Sequence, residues 1–166
     1  MARTRHTLIT GRSGAGKSTY AKKLSKELGR RHIEADEDPE MKELFQKSFP
    51  RRNDRFRTRD FNKGELAYRR GIMRRIKKLK EPAILEGAQF AWIKDPKVID
   101  KAYVVKVPER VRVKQRYLRE KRLGRIHTGE KALRRKKRLA LYTQASDPMI
   151  RDWERRPNTT IVNPYT

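Results

Sequence analysis

Gly11-Arg12-Ser13-Gly14-Ala15-Gly16-Lys17-Ser18 fits the pattern G-x-x-x-x-G-K-[ST]. These residue types at this spacing serve one chemistry. The glycines let the backbone curl so that several N–H groups point inward at phosphate oxygens. A lysine in this place reaches the β- and γ-phosphates of a nucleoside triphosphate, and the adjoining hydroxyl helps hold Mg²⁺. The expected nucleotide-binding set is Gly11, Arg12, Ser13, Gly14, Ala15, Gly16, Lys17, Ser18 and Thr19. ATP and Mg²⁺ are the expected cofactors, with Ser18 on the metal.

Such a loop works only between a strand and a helix. Thr7 to Thr10 is short, β-branched and followed by Gly11, as a buried strand should be. From Lys17 to Leu28, Tyr20, Leu24 and Leu28 recur every four residues with Ala21 beside them, and Gly29 stops the pattern. That is one face of a helix, and its N-terminus adds a favourable field for anions.

The remaining elements follow the same logic. Arg31 to Ala35 reads as a second strand, ending in the acidic run "DEDPE". Met41 to Phe49 reads as a short helix, with Asp38 before Pro39 as its N-cap. Glu65 to Lys80 is helical, with Tyr68, Ile72, Ile76 and Leu79 on one face and a basic opposite face, and Pro82 ends it. "AILEG" and "AYVVKV" are a third and a fourth strand. Glu109 to Leu123 and Thr128 to Ala145 are basic helices, and "NTTIVN" is a fifth strand. Buried-type strands separated by helices predict an α/β fold: a five-stranded parallel sheet with helices on both faces. Residues 1–166 are expected to form a single domain, without repeat or linker.

Composition narrows the class. The chain of 166 residues is 35% hydrophobic and 39% charged, yet its apolar residues cluster in dense runs, which argues for a folded domain. Lys and Arg number 45 against 20 Asp and Glu, a formal net charge of +25. A field of that strength attracts polyanions, nucleic acid first and an anionic membrane second. There is no long apolar run and no apolar signal-peptide core near the N-terminus, so no membrane partner and a cytoplasmic location are expected. The absence of cysteine removes disulfide frameworks and thiolate metal sites. Nothing in the sequence implies a protein partner.

With "GRSGAGKS", the acidic run after strand two and "AILEG" in place, the chain resembles the small P-loop kinases: shikimate kinase, the nucleoside monophosphate kinases and the kinase domain of polynucleotide 5′-hydroxyl kinases. It is also similar in layout to bacteriophage kinases that phosphorylate 5-hydroxymethyluracil bases in DNA, a likeness that implies the host cytoplasm as its location. The resemblance implies a P-loop NTPase fold in which the acid past the second strand, here Asp36, takes the proton of the attacking hydroxyl. Glu37 and Asp38 beside it are further candidates for metal or substrate. It also implies that Glu86 lies next to the phosphate loop and touches Mg²⁺ through water, with Gln89 and Phe90 facing the acceptor. The region of about residues 110–146 would be a basic helical lid. Arg119 and Arg122, one turn apart, would neutralise charge on the transferring phosphoryl group, with Arg116 and Arg125 as further candidates and Gly124 and Gly129 as hinges. Lys17 would join Asp36, Arg119 and Arg122 as the catalytic set. The chain departs from two relatives. It has Glu86-Gly87-Ala88-Gln89 where adenylate kinases carry Asp-Gly-x-x-Arg, and it lacks the acid-Arg-Ser step of deoxynucleoside kinases.

Catalysis uses a handful of cations, which leaves "RRNDRFRTRD", "YRRGIMRRIKKLK" and "RRKKR" unexplained. They are either a solvated basic surface or a groove that tracks phosphates, with Phe49, Phe56, Phe61 and Tyr68 available to stack on bases. Arg51, Arg52, Arg55, Phe56, Arg57 and Arg59 directly follow the acceptor-side acid and, with Gln89, form the expected substrate-binding set. The expected partner is therefore nucleic acid, DNA before RNA. The expected acceptor is a 5-hydroxymethyluracil base or a polynucleotide 5′-hydroxyl, and an internal base would have to be flipped out of the stack. Two alternatives remain open: a kinase of a free nucleoside, nucleotide or metabolite, and a nucleic-acid-binding ATPase.

Overall fold

The structure is a computed structural model in which residues 3–12, 14–50, 58–124 and 147–165 are described. In chain order the elements are β1 (His6–Gly11), α1 (Lys17–Leu28), β2 (Arg31–Glu34), α2 (Pro39–Ser48), α3 (Thr58–Lys78), β3 (Ala83–Glu86), a 3-10 turn (Ala88–Phe90), β4 (Ile99–Val105), α4 (Glu109–Arg122), α5 (Asp147–Glu154) and β5 (Thr159–Val162). The strands make one five-stranded sheet in the order β2-β3-β1-β4-β5, and every pairing is parallel.

Every residue of β1 is buried, as a central strand covered on both sides requires. Successive side chains point to opposite faces. Leu8 joins Ile33, Leu85, Met41, Ile72 and Trp153 in one core cluster. Its neighbour Ile9 joins Ile84, Val105, Ala21 and Leu24 in the other. So α1 covers one face of the sheet, and α2, α3 and α5 cover the other. Each such aliphatic side chain contributes about 1.5–3 kcal/mol when fully buried.

Helix α1 has the bounds expected from its spacing, with Gly29 in a left-handed C-cap. Helix α2 starts at Pro39 rather than Met41, because the Asp38 carboxylate accepts from the Met41 N–H at 3.1 Å and Pro39 takes the first helical position. Helix α3 starts at Thr58, well before the expected Glu65. Its first turns carry few apolar residues, so hydrophobic periodicity does not register them. Helix α5 was not expected at all. Ile150 and Trp153, three residues apart, bury its inner face, and Trp153 Nε1 donates to the Ala91 carbonyl at 2.6 Å. The expected helix from Thr128 to Ala145 lies outside the described residues. Among the described residues, no helix is long and apolar enough to cross a membrane.

One expectation is corrected. Phe49 and Tyr68 do not form a surface for stacking on bases; both are buried. They pack with Phe45, the ring centroids lying 5.1 Å (Phe45–Phe49), 5.6 Å (Phe45–Tyr68) and 6.3 Å (Phe49–Tyr68) apart. The cause is the close approach of α2 and α3. A Cβ at Gly64 would lie 2.5 Å from the Phe49 ring, so the bare helix surface there lets the aromatic side chain in.

Candidate active site

The site gathers at the C-terminal ends of β1, β2 and β3, where a parallel sheet with strands leading off in both directions leaves a crevice. The Gly11–Ser18 loop leaves β1 and turns into α1 through two backbone positions that exclude side chains. Gly11 lies against the Val105 carbonyl, too close for a Cβ. Gly16 has φ 93°, and a Cβ on it would meet Pro164 Cγ at 2.8 Å and the Tyr165 hydroxyl at 3.3 Å. Within the loop, the Ala15 N–H donates to the Arg12 carbonyl at 3.1 Å, and Lys17 Nζ donates to the same carbonyl at 3.1 Å. The lysine ammonium therefore lies across its own loop. Ser13 lies outside the described residues.

Ser18, the second residue of α1, faces two carboxylates. Its Oγ donates to Glu34 Oε1 at 2.9 Å, and Glu86 Oε2 lies 3.5 Å away. A hydroxyl has one hydrogen to give, so Glu34 is the main acceptor. Glu34 and Glu86 are in register as the last residues of β2 and β3. Glu86 is 3% exposed and within 3.2 Å of His32 Nε2. Backbone bonds knit the strand ends: Ala35 N–H donates to the Glu86 carbonyl and Gly87 N–H to the Ile9 carbonyl, both at 2.9 Å.

Of the expected metal pair, Ser18 and Glu86 are thus brought together. Glu34 and His32 were missed. The signal was present in "HIE", since residues two apart on a strand share a face. That face matters only once β2 is known to pair with β3.

Asp36 lies in the turn past β2 and is exposed. Gln89 Nε2 donates to Asp36 Oδ1 at 2.7 Å, so two expected acceptor-side residues, from separate loops, meet. Asp38 is engaged elsewhere: it caps α2, and Arg75 Nη2 lies 2.9 Å from both its oxygens, with Arg75 also paired to Glu40. Glu37 pairs with Lys42 at 3.5 Å and with Arg119 at 3.9 Å. Arg119 of α4 therefore reaches the loop that carries Asp36. Arg122 is exposed in the last turn of α4 with no described contact to the site. Arg51, Arg52, Arg55, Phe56, Arg57 and Arg125 lie outside the described residues, and Arg59 lies in the first turns of α3.

The arrangement offers a backbone cradle with an ammonium group, a cluster of hard oxygen donors beside it, and a carboxylate at a short remove. The Ser18 hydroxyl and the Glu34 and Glu86 carboxylates suit Mg²⁺, which prefers oxygen ligands and keeps waters. Neither Gly11 nor Gly16 has room for a Cβ, so the loop keeps bare backbone at both positions.

Comparison with known proteins defines the fold. No protein-family profile matches the chain, and no curated protein sequence matches it. Solved structures do. A Thermus thermophilus protein superposes with a TM-score of 0.58 at 18% identity, over 96% of this chain and 89% of that one. A gluconokinase from Sinorhizobium meliloti gives 0.53 at 16% identity, over 98% and 83%. A shikimate kinase from Acinetobacter baumannii, solved with shikimate, gives 0.51 at 17% identity, over 98% and 86%. The chain shares their P-loop α/β fold.

Proposed function

We propose that the protein transfers the γ-phosphoryl group of ATP to a hydroxyl group, and that this hydroxyl belongs to nucleic acid. The observation that carries the transfer is the convergence of the Gly11–Ser18 loop, the Ser18–Glu34–Glu86 cluster and the Gln89-held Asp36 at one end of the sheet. Bound Mg²⁺ would neutralise phosphate charge in such a site, with Ser18, Glu34 and Glu86 holding it directly or through water. Loop N–H groups and Lys17 orient the triphosphate. Asp36 accepts the proton of the attacking hydroxyl while Gln89 fixes the carboxylate's orientation. Arg119, next to Glu37, supplies positive charge beside the acceptor.

The polymer reading is supported by α3. Its exposed face presents Lys63, Arg70, Arg74, Lys77 and Lys78, and the nearby acid Glu65 is half-buried and paired with Arg69. The helix leads into β3 and so runs from the site's end of the sheet to the opposite end. Lys63 to Lys78 spans about 22 Å, a length over which a nucleic-acid strand offers several phosphates. A 5-hydroxymethyluracil base in DNA and a polynucleotide 5′-hydroxyl are the favoured acceptors.

A second reading, a small-molecule kinase, is favoured by the fold likeness to a gluconokinase and a shikimate kinase. Incubation with γ-labelled ATP separates the two. Parallel reactions contain hydroxymethyluracil DNA, 5′-hydroxyl DNA and RNA, free nucleosides, gluconate and shikimate. Label on polymer is the expected outcome, label only on a monomer establishes the second reading, and release of phosphate alone makes the protein an ATPase. Lys17→Ala and Asp36→Asn should both abolish transfer, and Asp36→Asn should still bind ATP. Full transfer by Asp36→Asn removes it as the base.

A further inference from the structure

We propose that His32, Glu34 and Glu86 form a site for a first-row transition-metal ion that is held by the protein alone, without a nucleotide. The three residues are assembled by strand geometry. His32 and Glu34 are two apart on β2 and so share a face of the sheet. Glu34 is in register with Glu86 on the adjacent strand β3. One donor atom from each side chain lies within 4.8 Å of the other two. Ser18 Oγ, 2.9 Å from Glu34 Oε1, stands by as a fourth donor. Metal–ligand bonds of about 2.0–2.2 Å place neighbouring donors about 3–3.5 Å apart. Small rotations of the two glutamates close that gap.

The cluster's setting favours a cation. Glu86 is 3% exposed, and the His32 and Glu34 side chains beside it are partly buried, so the Glu86 carboxylate in particular is poorly screened by water. The hydrogen bonds among Ser18, Glu34, Glu86 and His32 hold these donors around one point. The donor set also discriminates. Mg²⁺ selects oxygen and retains its waters, whereas an imidazole nitrogen with two carboxylates suits Zn²⁺, Mn²⁺, Co²⁺ or Fe²⁺. The nitrogen donor is what separates this site from an ion brought in with ATP. It shares Ser18, Glu34 and Glu86 with the Mg²⁺ role proposed above and rests on that reading for any part in phosphoryl transfer, but binding of the ion does not.

The test is calorimetric titration of the full chain with Zn²⁺, without nucleotide, and visible absorption on titration with Co²⁺. Wild type should take up one ion per chain and show the d–d bands of low-coordinate Co²⁺. His32→Gln and, independently, Glu34→Gln should each weaken binding at least tenfold and remove the bands, while His127→Gln should leave both unchanged. Failure of wild type to bind without nucleotide overturns the proposal. So does loss of binding in His127→Gln rather than His32→Gln, or binding as tight as wild type in either His32→Gln or Glu34→Gln. If the metal binds but no acceptor is ever labelled, the kinase reading fails and this site stands. If label transfers but no ion binds alone, the reverse holds.

Discussion

Gly16 shows how much one residue can carry. Its φ of 93° belongs to the left-handed region, and Pro164 and Tyr165 occupy the space a side chain would need. Gly16→Ala should destabilise the fold by about 1–2 kcal/mol from backbone strain alone. It should also weaken ATP binding by distorting the cradle, which a urea titration and a calorimetric ATP titration would measure separately. His6 offers a test of a different kind. It is buried at the start of β1, and its Nδ1 accepts from the Ala83 N–H at 3.1 Å. Burial lowers its pKa, opposed by Asp100 and reinforced by Arg30. The unfolded chain therefore binds this proton more readily than the folded one. Its contribution to stability is complete above about pH 6.5 and is lost as pH falls through the lowered folded value. The urea midpoint of the wild type should fall over that range, and His6→Gln should show a shallower fall.

At the scale of elements, the β2–α2 turn is held from two directions. Asp38 caps α2 from within the chain, and Arg75 of α3 grips the same carboxylate from outside. Both side chains of that pair are about nine-tenths buried. Removing Asp38 takes away the cap and leaves Arg75 with Glu40 alone. Asp38→Ala should cost about 2–3 kcal/mol. Glu40→Ala, whose side chain is exposed, should cost under about 1 kcal/mol. Chemical denaturation of the two variants compares them directly, and equal losses would show that the buried pair is not what holds the turn. Because Asp36 sits two residues before this clamp, the ordering of α2 also fixes the place of the candidate base.

At the scale of the whole molecule, a net charge of +25 sets how the protein meets its surroundings. If α3 tracks a polymer backbone, affinity for DNA must fall steeply with salt, with a log–log slope of about −0.9 per phosphate contacted on duplex and about −0.7 on single strands. Combining Arg70→Glu, Arg74→Glu and Lys77→Glu should weaken DNA binding at least tenfold and flatten that slope. An unchanged slope places the polymer elsewhere or nowhere. Folding should be nearly unaffected, since these side chains are exposed and make no described ion pairs.

What the sequence determined by itself is whatever depends on near neighbours along the chain. The phosphate loop was legible in the spacing from Gly11 to Ser18, helix α1 in a four-residue apolar period ended by Gly29, and the α2 cap in Asp38-Pro39. The parallel sheet followed from dense apolar runs separated by helices. Tertiary structure decided everything that needs two distant segments to meet. The order β2-β3-β1-β4-β5 sets Glu34 beside Glu86, and no local pattern encodes which strands become neighbours. The same applies to Gln89 reaching Asp36, and to Phe49 and Tyr68, aromatic residues in a basic region that the packing of α2 on α3 turned inward. A short-range pattern specifies conformation because its energetics are local. A site specifies chemistry only when the fold brings its parts within hydrogen-bonding distance.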